Sequence, residues 1–147
     1  MSKKGYHVFV ISNQAGVGKG IYPQETLDTI TARMVKGVEK TGGRFAGIYY
    51  CTHRPDADCV CRKPKAGMIE KARREHGISR KGSFFIGDTI RDIHTAQAAG
   101  CTSILVLSGK EKISNRHEWE LQPDFICRDL YEAAQLILRR NTKKENQ

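Results

Sequence analysis

Short apolar runs alternate along this chain with stretches of helical period, and that alternation constrains the fold more than any other feature. Residues 7–11, 47–50, 83–86, 102–107 and 124–127 read as strands. Residues 23–40, 68–76, 90–99 and 129–140 read as helices. In the first, Pro23 suits the opening turn and Leu27, Ile30, Met34 and Val38 share one face. Gly42, Gly77 and Gly100 fall where the first three helices should stop. Asp129 reads as an N-cap, with Glu132 completing a capping box. Strands that take turns with helices must run parallel, so the chain is α/β: a Rossmann-like parallel sheet with helices on both faces. The 147 residues fit a single domain over 1–140, with 141–147 expected to be a disordered basic tail.

Such sheets bind ligands outside the carboxyl ends of their strands. That edge is expected to carry Ser12, Asn13 and Gln14, the loop after Tyr50, then Asp88 and Ser108. The glycine-rich stretch after residue 12 resembles a phosphate-binding P-loop only superficially. Reading back from Gly18-Lys19, the first glycine position holds Asn13 and the hydroxyl position holds Gly20. What remains is a polar strand end, able to hydrogen-bond an anion or simply to lead into a turn.

The segment Cys51-Thr-His53-Arg-Pro-Asp-Ala-Asp-Cys59-Val-Cys61 supplies three thiols and an imidazole within eleven residues. Four such donors suit tetrahedral zinc in a closed, structural site, if the loop folds back between His53 and Cys59, where Pro55 and Ala57 favour reversal. Unlinked thiols on an exposed loop are the alternative. No secretion signal or membrane-length apolar run is seen, so a reducing, cytoplasmic setting is expected and disulfides are not.

Arg62 and Lys63 follow the last cysteine. A stiffened loop could hold them against phosphate or hydroxyl oxygens; otherwise they form a solvated pair. The net charge of +9 favours an anionic partner, but the basic residues are spread along the chain rather than gathered. Asp88 ends an apolar run beside Gly87 and is a natural magnesium ligand. Asp92 lies in the first turn of the following helix, where the helix dipole alone would explain it.

Taken together, Ser12-Asn13-Gln14, the Cys-x-His-x5-Cys-x-Cys loop, Arg62-Lys63-Pro64-Lys65-Ala66-Gly67-Met68 and Gly87-Asp88-Thr89-x-x-Asp92 resemble the haloacid-dehalogenase-like (HAD) phosphatases. The resemblance extends to about Gly109. It is closest to the small zinc-loop branch that includes heptose bisphosphate phosphatase and histidinol-phosphatase, and the Gly67-Met68 pair and Gly109-Lys110 turn lean toward the former. The resemblance implies a small phosphorylated sugar as substrate. It assigns Ser12 to the transferring phosphoryl group, Lys63 to neutralising it, and Asn13, Gln14 and Arg62 to the substrate. It assigns Asp88 to magnesium with Asp92 in support, and Cys51, His53, Cys59 and Cys61 to zinc.

These phosphatases attack phosphorus with the first Asp of an Asp-x-Asp strand and protonate the leaving oxygen with the second. No such segment occurs early in this sequence, so the first strand is expected to be missing and turnover impaired, general acid catalysis alone being worth ~10²–10⁴. Two other readings stay open: a non-catalytic relative that binds a sugar phosphate or docks, even as a homodimer, through an uncovered sheet edge; or a zinc-stabilised nucleic-acid-binding module. Carboxylates beside Arg62 and Lys63 count against the last.

Overall fold

In the computed structural model, which describes residues 1–144, every strand pairs in parallel. The chain divides into two units: Met1–Arg62 with Gly67–His76, and Lys63–Ala66 with the chain from Gly77 onward.

The first unit contains strand β1 (Phe9–Asn13), a single helical turn α1 (Ala15–Gly18), helix α2 (Gln24–Lys40), strand β2 (Gly47–Cys51) and helix α3 (Gly67–His76). Ser12 lies opposite Tyr50 and Asn13 opposite Cys51. β1 therefore runs two residues past its apolar pattern, because β2 continues to Cys51 and offers ladder partners. Tyr49, Cys51, Met68 and Ala72 form the buried centre, with Phe9, Ile11, Cys59 and Cys61 packed against it. Leu27 anchors α2, but Ile30 is exposed. Thr31 takes the inward place expected for Ile30: its Oγ1 lies 3.0 Å from the Tyr50 hydroxyl and donates to the Leu27 carbonyl at 2.7 Å. Both choices satisfy a 3.6-residue period, and the hydroxyl pair decides between them.

The second unit contains β3 (Phe84–Gly87), α4 (Ile90–Ala98), β4 (Thr102–Val106), β5 (Phe125–Cys127) and α5 (Leu130–Lys144). Its sheet order is β3-β4-β5. β4 is central, and its run Ser103-Ile104-Leu105-Val106 is buried throughout, as expected for an inner parallel strand. Ile93, Leu105 and Trp119 form the core on one side, and Trp119 is delivered by a 3-10 turn over Ile113–Glu118 that the sequence pattern does not announce. Asp129 caps α5 by accepting from the Glu132 amide at 2.8 Å. Glu132, however, reaches back to the amide of Arg128 at 2.6 Å rather than to that of Asp129, so the expected capping box is displaced by one residue. The backbone helix continues to Lys144, and the remainder of the expected tail, 145–147, lies outside the described residues. None of the described helices is long and apolar enough to cross a membrane.

Candidate active site and metal centre

The four metal-ligand candidates meet. Donor atoms of Cys51, His53, Cys59 and Cys61 all lie within 4.8 Å of one another. The Cys51 and Cys59 sulfurs are 3.5 Å apart, as are those of Cys59 and Cys61, and His53 Nδ1 is 3.2 Å from the Cys61 sulfur. Zinc–sulfur bonds of about 2.3 Å in a tetrahedron put sulfurs about 3.8 Å apart, so these donors fit such an ion with small adjustments. The reversal between His53 and Cys59 is made by a turn in which the Ala57 amide donates to the Arg54 carbonyl, and by Asp58 in the left-handed region at φ 39.

Within the protein alone, burial pushes the Cys61 thiol up to about 12, and the thiols of Cys51 and Cys59 push the same way. Burial also opposes ionisation of Cys59, but hydrogen bonds with Cys51, Cys61 and the backbone outweigh it and bring that thiol down to about 7. A dication replaces the shared protons, so affinity for it must rise with pH.

The glycine-rich stretch serves this loop. The Gln14 amide donates to the Cys51 carbonyl at 2.8 Å and the Gly18 amide to the Thr52 carbonyl at 3.0 Å. A Cβ on Gly18 would overlap that Thr52 carbonyl oxygen. Two of its amides are thus spent on the metal loop, a different use from a P-loop's. On the same turn Gln14 Nε2 donates to Ser12 Oγ at 3.1 Å, and the Tyr22 hydroxyl donates to Gln14 Oε1 at 2.8 Å. Ser12 is therefore oriented by a short chain of side chains, of which Tyr22 has no signal in the sequence. Asn13 closes β1 beside them. Arg62, at the end of that loop, keeps its Nη1 buried with no hydrogen-bond partner among the described residues.

The second unit gathers Lys63, Asp88 and Asp92. Lys63 Nζ lies 2.6 Å from Asp92 Oδ1, with both side chains largely buried, and 5.9 Å from the centre of the Phe85 ring. Asp92 Oδ2 accepts from the Thr89 hydroxyl at 2.8 Å and from the amides of Asp88 and Thr89 at 3.3 Å. Thr89 and Asp92 form a capping box on α4, which the Thr-x-x-Asp spacing could have announced. Both Asp92 oxygens are thus committed to protein donors. Asp88 differs: its Oδ2 accepts from the Lys110 amide at 3.2 Å, and Oδ1 has no hydrogen bond among the described residues. A half-buried carboxylate with one oxygen to spare suits a hard cation that keeps much of its water, as magnesium does.

A parallel α/β frame with Lys63, Asp88 and Asp92 at one strand end defines the class. The sequence matches the HAD-hydrolase-like family over residues 60–133, and the chain belongs to that family. It is similar to the D-glycero-beta-D-manno-heptose-1,7-bisphosphate 7-phosphatase of Pseudomonas aeruginosa, 39% identical over 110 residues, covering 75% of this chain and 62% of that protein. The corresponding enzyme of Neisseria meningitidis serogroup B is 34% identical over 144 residues, covering 97% of this chain and 77% of that one. The chain spans about three fifths of the length of the Pseudomonas relatives it matches. The crystal structure of D,D-heptose 1,7-bisphosphate phosphatase from B. bronchiseptica, complexed with magnesium and phosphate, superposes with a TM-score of 0.86 at 29% identity, covering 95% of this chain and 78% of that one.

Proposed function

We propose that this chain serves a magnesium-assisted phosphatase acting on a phosphate monoester of a small phosphorylated sugar, of the heptose bisphosphate type. The observation that carries the reading is the contrast between the two aspartates: Asp92 is saturated by protein donors, while Asp88 keeps an oxygen for a cation. Magnesium, when bound, supplies charge neutralisation at the phosphoryl oxygens. Asp88 offers it a ligand. Asp92 holds the Asp88 turn through backbone amides and fixes the Lys63 ammonium, which supplies positive charge for a phosphate. In the first unit, Ser12, Asn13 and Gln14 offer hydrogen bonds to substrate oxygens, and Arg62 a guanidinium with a donor still to satisfy. Zinc at Cys51, His53, Cys59 and Cys61 has a structural role, because four protein donors leave no position for a reacting water. An attacking carboxylate of the Asp-x-Asp kind is not among the residues assigned here, so binding is the readout that tests them.

Calorimetric titration with magnesium in the presence of inorganic phosphate should give a saturable heat that Asp88→Asn abolishes. Lys63→Met should retain the magnesium response while weakening phosphate at least about tenfold, the loss of one strong ionic contact. Equal magnesium binding by the native chain and Asp88→Asn would overturn the assignment.

A further inference from the structure

We propose that the turn Gly109-Lys110-Glu111, after β4, is a positioning device for Asp88. It holds the carboxylate through Oδ2 and leaves Oδ1 as the oxygen offered to the cation. The inference rests on the magnesium reading above and adds residues that the reading does not use.

Three contacts hold the turn to the Asp88 segment. The Lys110 amide donates to Asp88 Oδ2 at 3.2 Å. The Glu111 amide donates to the Asp88 carbonyl at 3.2 Å. Glu111 Oε1 in turn accepts from the Ile90 amide at 3.4 Å, in the first turn of α4. The side chain and carbonyl of Asp88, and the helix start two residues later, are therefore all tied to one three-residue turn. The Asp88 amide, in turn, donates to Asp92 Oδ2 at 3.3 Å. A carboxylate gripped through one oxygen and through both its own amide and its own carbonyl has little rotational freedom left to lose when a cation arrives. That is the geometric condition for tight binding by few ligands.

Gly109 makes the grip possible. A Cβ there would overlap Asp88 Oδ2, Cβ and Cγ, so any side chain at 109 must expel the carboxylate from its seat. Its backbone does not lie in the left-handed region; among the glycines only 5, 20, 42, 77, 82 and 100 do. The requirement for glycine at 109 is thus one of room for Asp88 and not of backbone conformation. This separates the proposal from an ordinary turn glycine: the effect of filling the position must depend on Asp88.

The test is a double-mutant cycle of Gly109→Ala and Asp88→Gly, read by thermal unfolding and by calorimetric magnesium titration with inorganic phosphate. Gly109→Ala should weaken magnesium binding about tenfold or more, the usual cost of disturbing an outer-shell partner, and lower Tm. In the Asp88→Gly background the same change should leave Tm nearly unaltered, because the Asp88 atoms it would strike, Cβ included, are gone. If Gly109→Ala alone fails to fold, the double variant should fold. Unchanged magnesium affinity in Gly109→Ala overturns the proposal. So does an equal fall in Tm in both backgrounds, or a double variant that also fails to fold. A native chain that binds no magnesium removes the reading of Asp88 itself, and this inference with it.

Discussion

At the scale of single residues, each important group is defined by which of its atoms are already spent. Asp92 and Asp88 are the same side chain four positions apart, yet one is enclosed by Lys63 and α4 donors while the other has an oxygen with no hydrogen bond among the described residues. The cysteines behave alike in this respect. Cys51 is fully buried in the first unit's core, whereas Cys59 and Cys61 sit at its margin and complete the donor set. Cys59→Ser replaces a thiolate by a poor zinc ligand and leaves three donors. Zinc content measured on purified protein should fall from about one per chain to well under half of that; unchanged content would show that the thiols hold no ion. The gathering of the Cys and His donors was legible because the four lie close in sequence. The seating of Asp88 was not. It depends on residues 88 and 109, distant in sequence, approaching until only a glycine fits, and no local pattern records such an approach.

At the scale of elements, polar residues decide what periodicity leaves open. α2 faces inward through Thr31 and not Ile30 because a hydroxyl finds Tyr50. Likewise β4 and β5 are spliced at their start by Asp124, whose Oδ2 accepts from the Ser103 amide and hydroxyl, each at 2.7 Å. The Ser103 amide first, then its hydroxyl, hold the Asp124 carboxyl below its ordinary value of 3.8. A carboxyl depressed in the folded state stabilises the protein above the unfolded value, and that contribution is lost as pH falls through the folded one. Stability should therefore decline below pH ~4 with a component that Asp124→Asn removes. At neutral pH the substitution should cost about 1 kcal/mol, a fall of a few degrees in Tm. Thermal unfolding from pH 3 to 7 measures both, and parallel pH profiles for the two proteins would refute the role. The strand and helix types were readable from alternation. Their exact faces and caps were not, as Ile30 and Glu132 show, because two arrangements fit the same period.

At the scale of the whole molecule, the two units rest on different kinds of core. The second is held by aliphatic residues around Ile93, Leu105 and Trp119. The first has a buried centre into which the candidate metal ligands themselves are built, Cys51 within it and Cys59 and Cys61 against it. Removing an ion held there would take away an organiser of that centre and leave the second core as it was. Hydrogen exchange with and without a chelator should show lost protection in β1, β2 and α3 and retained protection in β3, β4 and β5. Uniform loss, or none, would contradict this division of labour. The α/β class was legible in the sequence, because each strand announces itself by a short apolar run. That the buried residues gather into two centres was not, since alternation fixes the order of elements without saying which of them share a core.

The seat of Gly18 on the Thr52 carbonyl carries a thermodynamic obligation. It couples the turn that orients Ser12 to the loop that would grip zinc. Any guest at Ser12 that favours one setting of that turn must alter the loop's hold on zinc, and zinc must alter the hold on that guest by the same factor. An ion too enclosed to touch the substrate would then still help to set how firmly the substrate is kept.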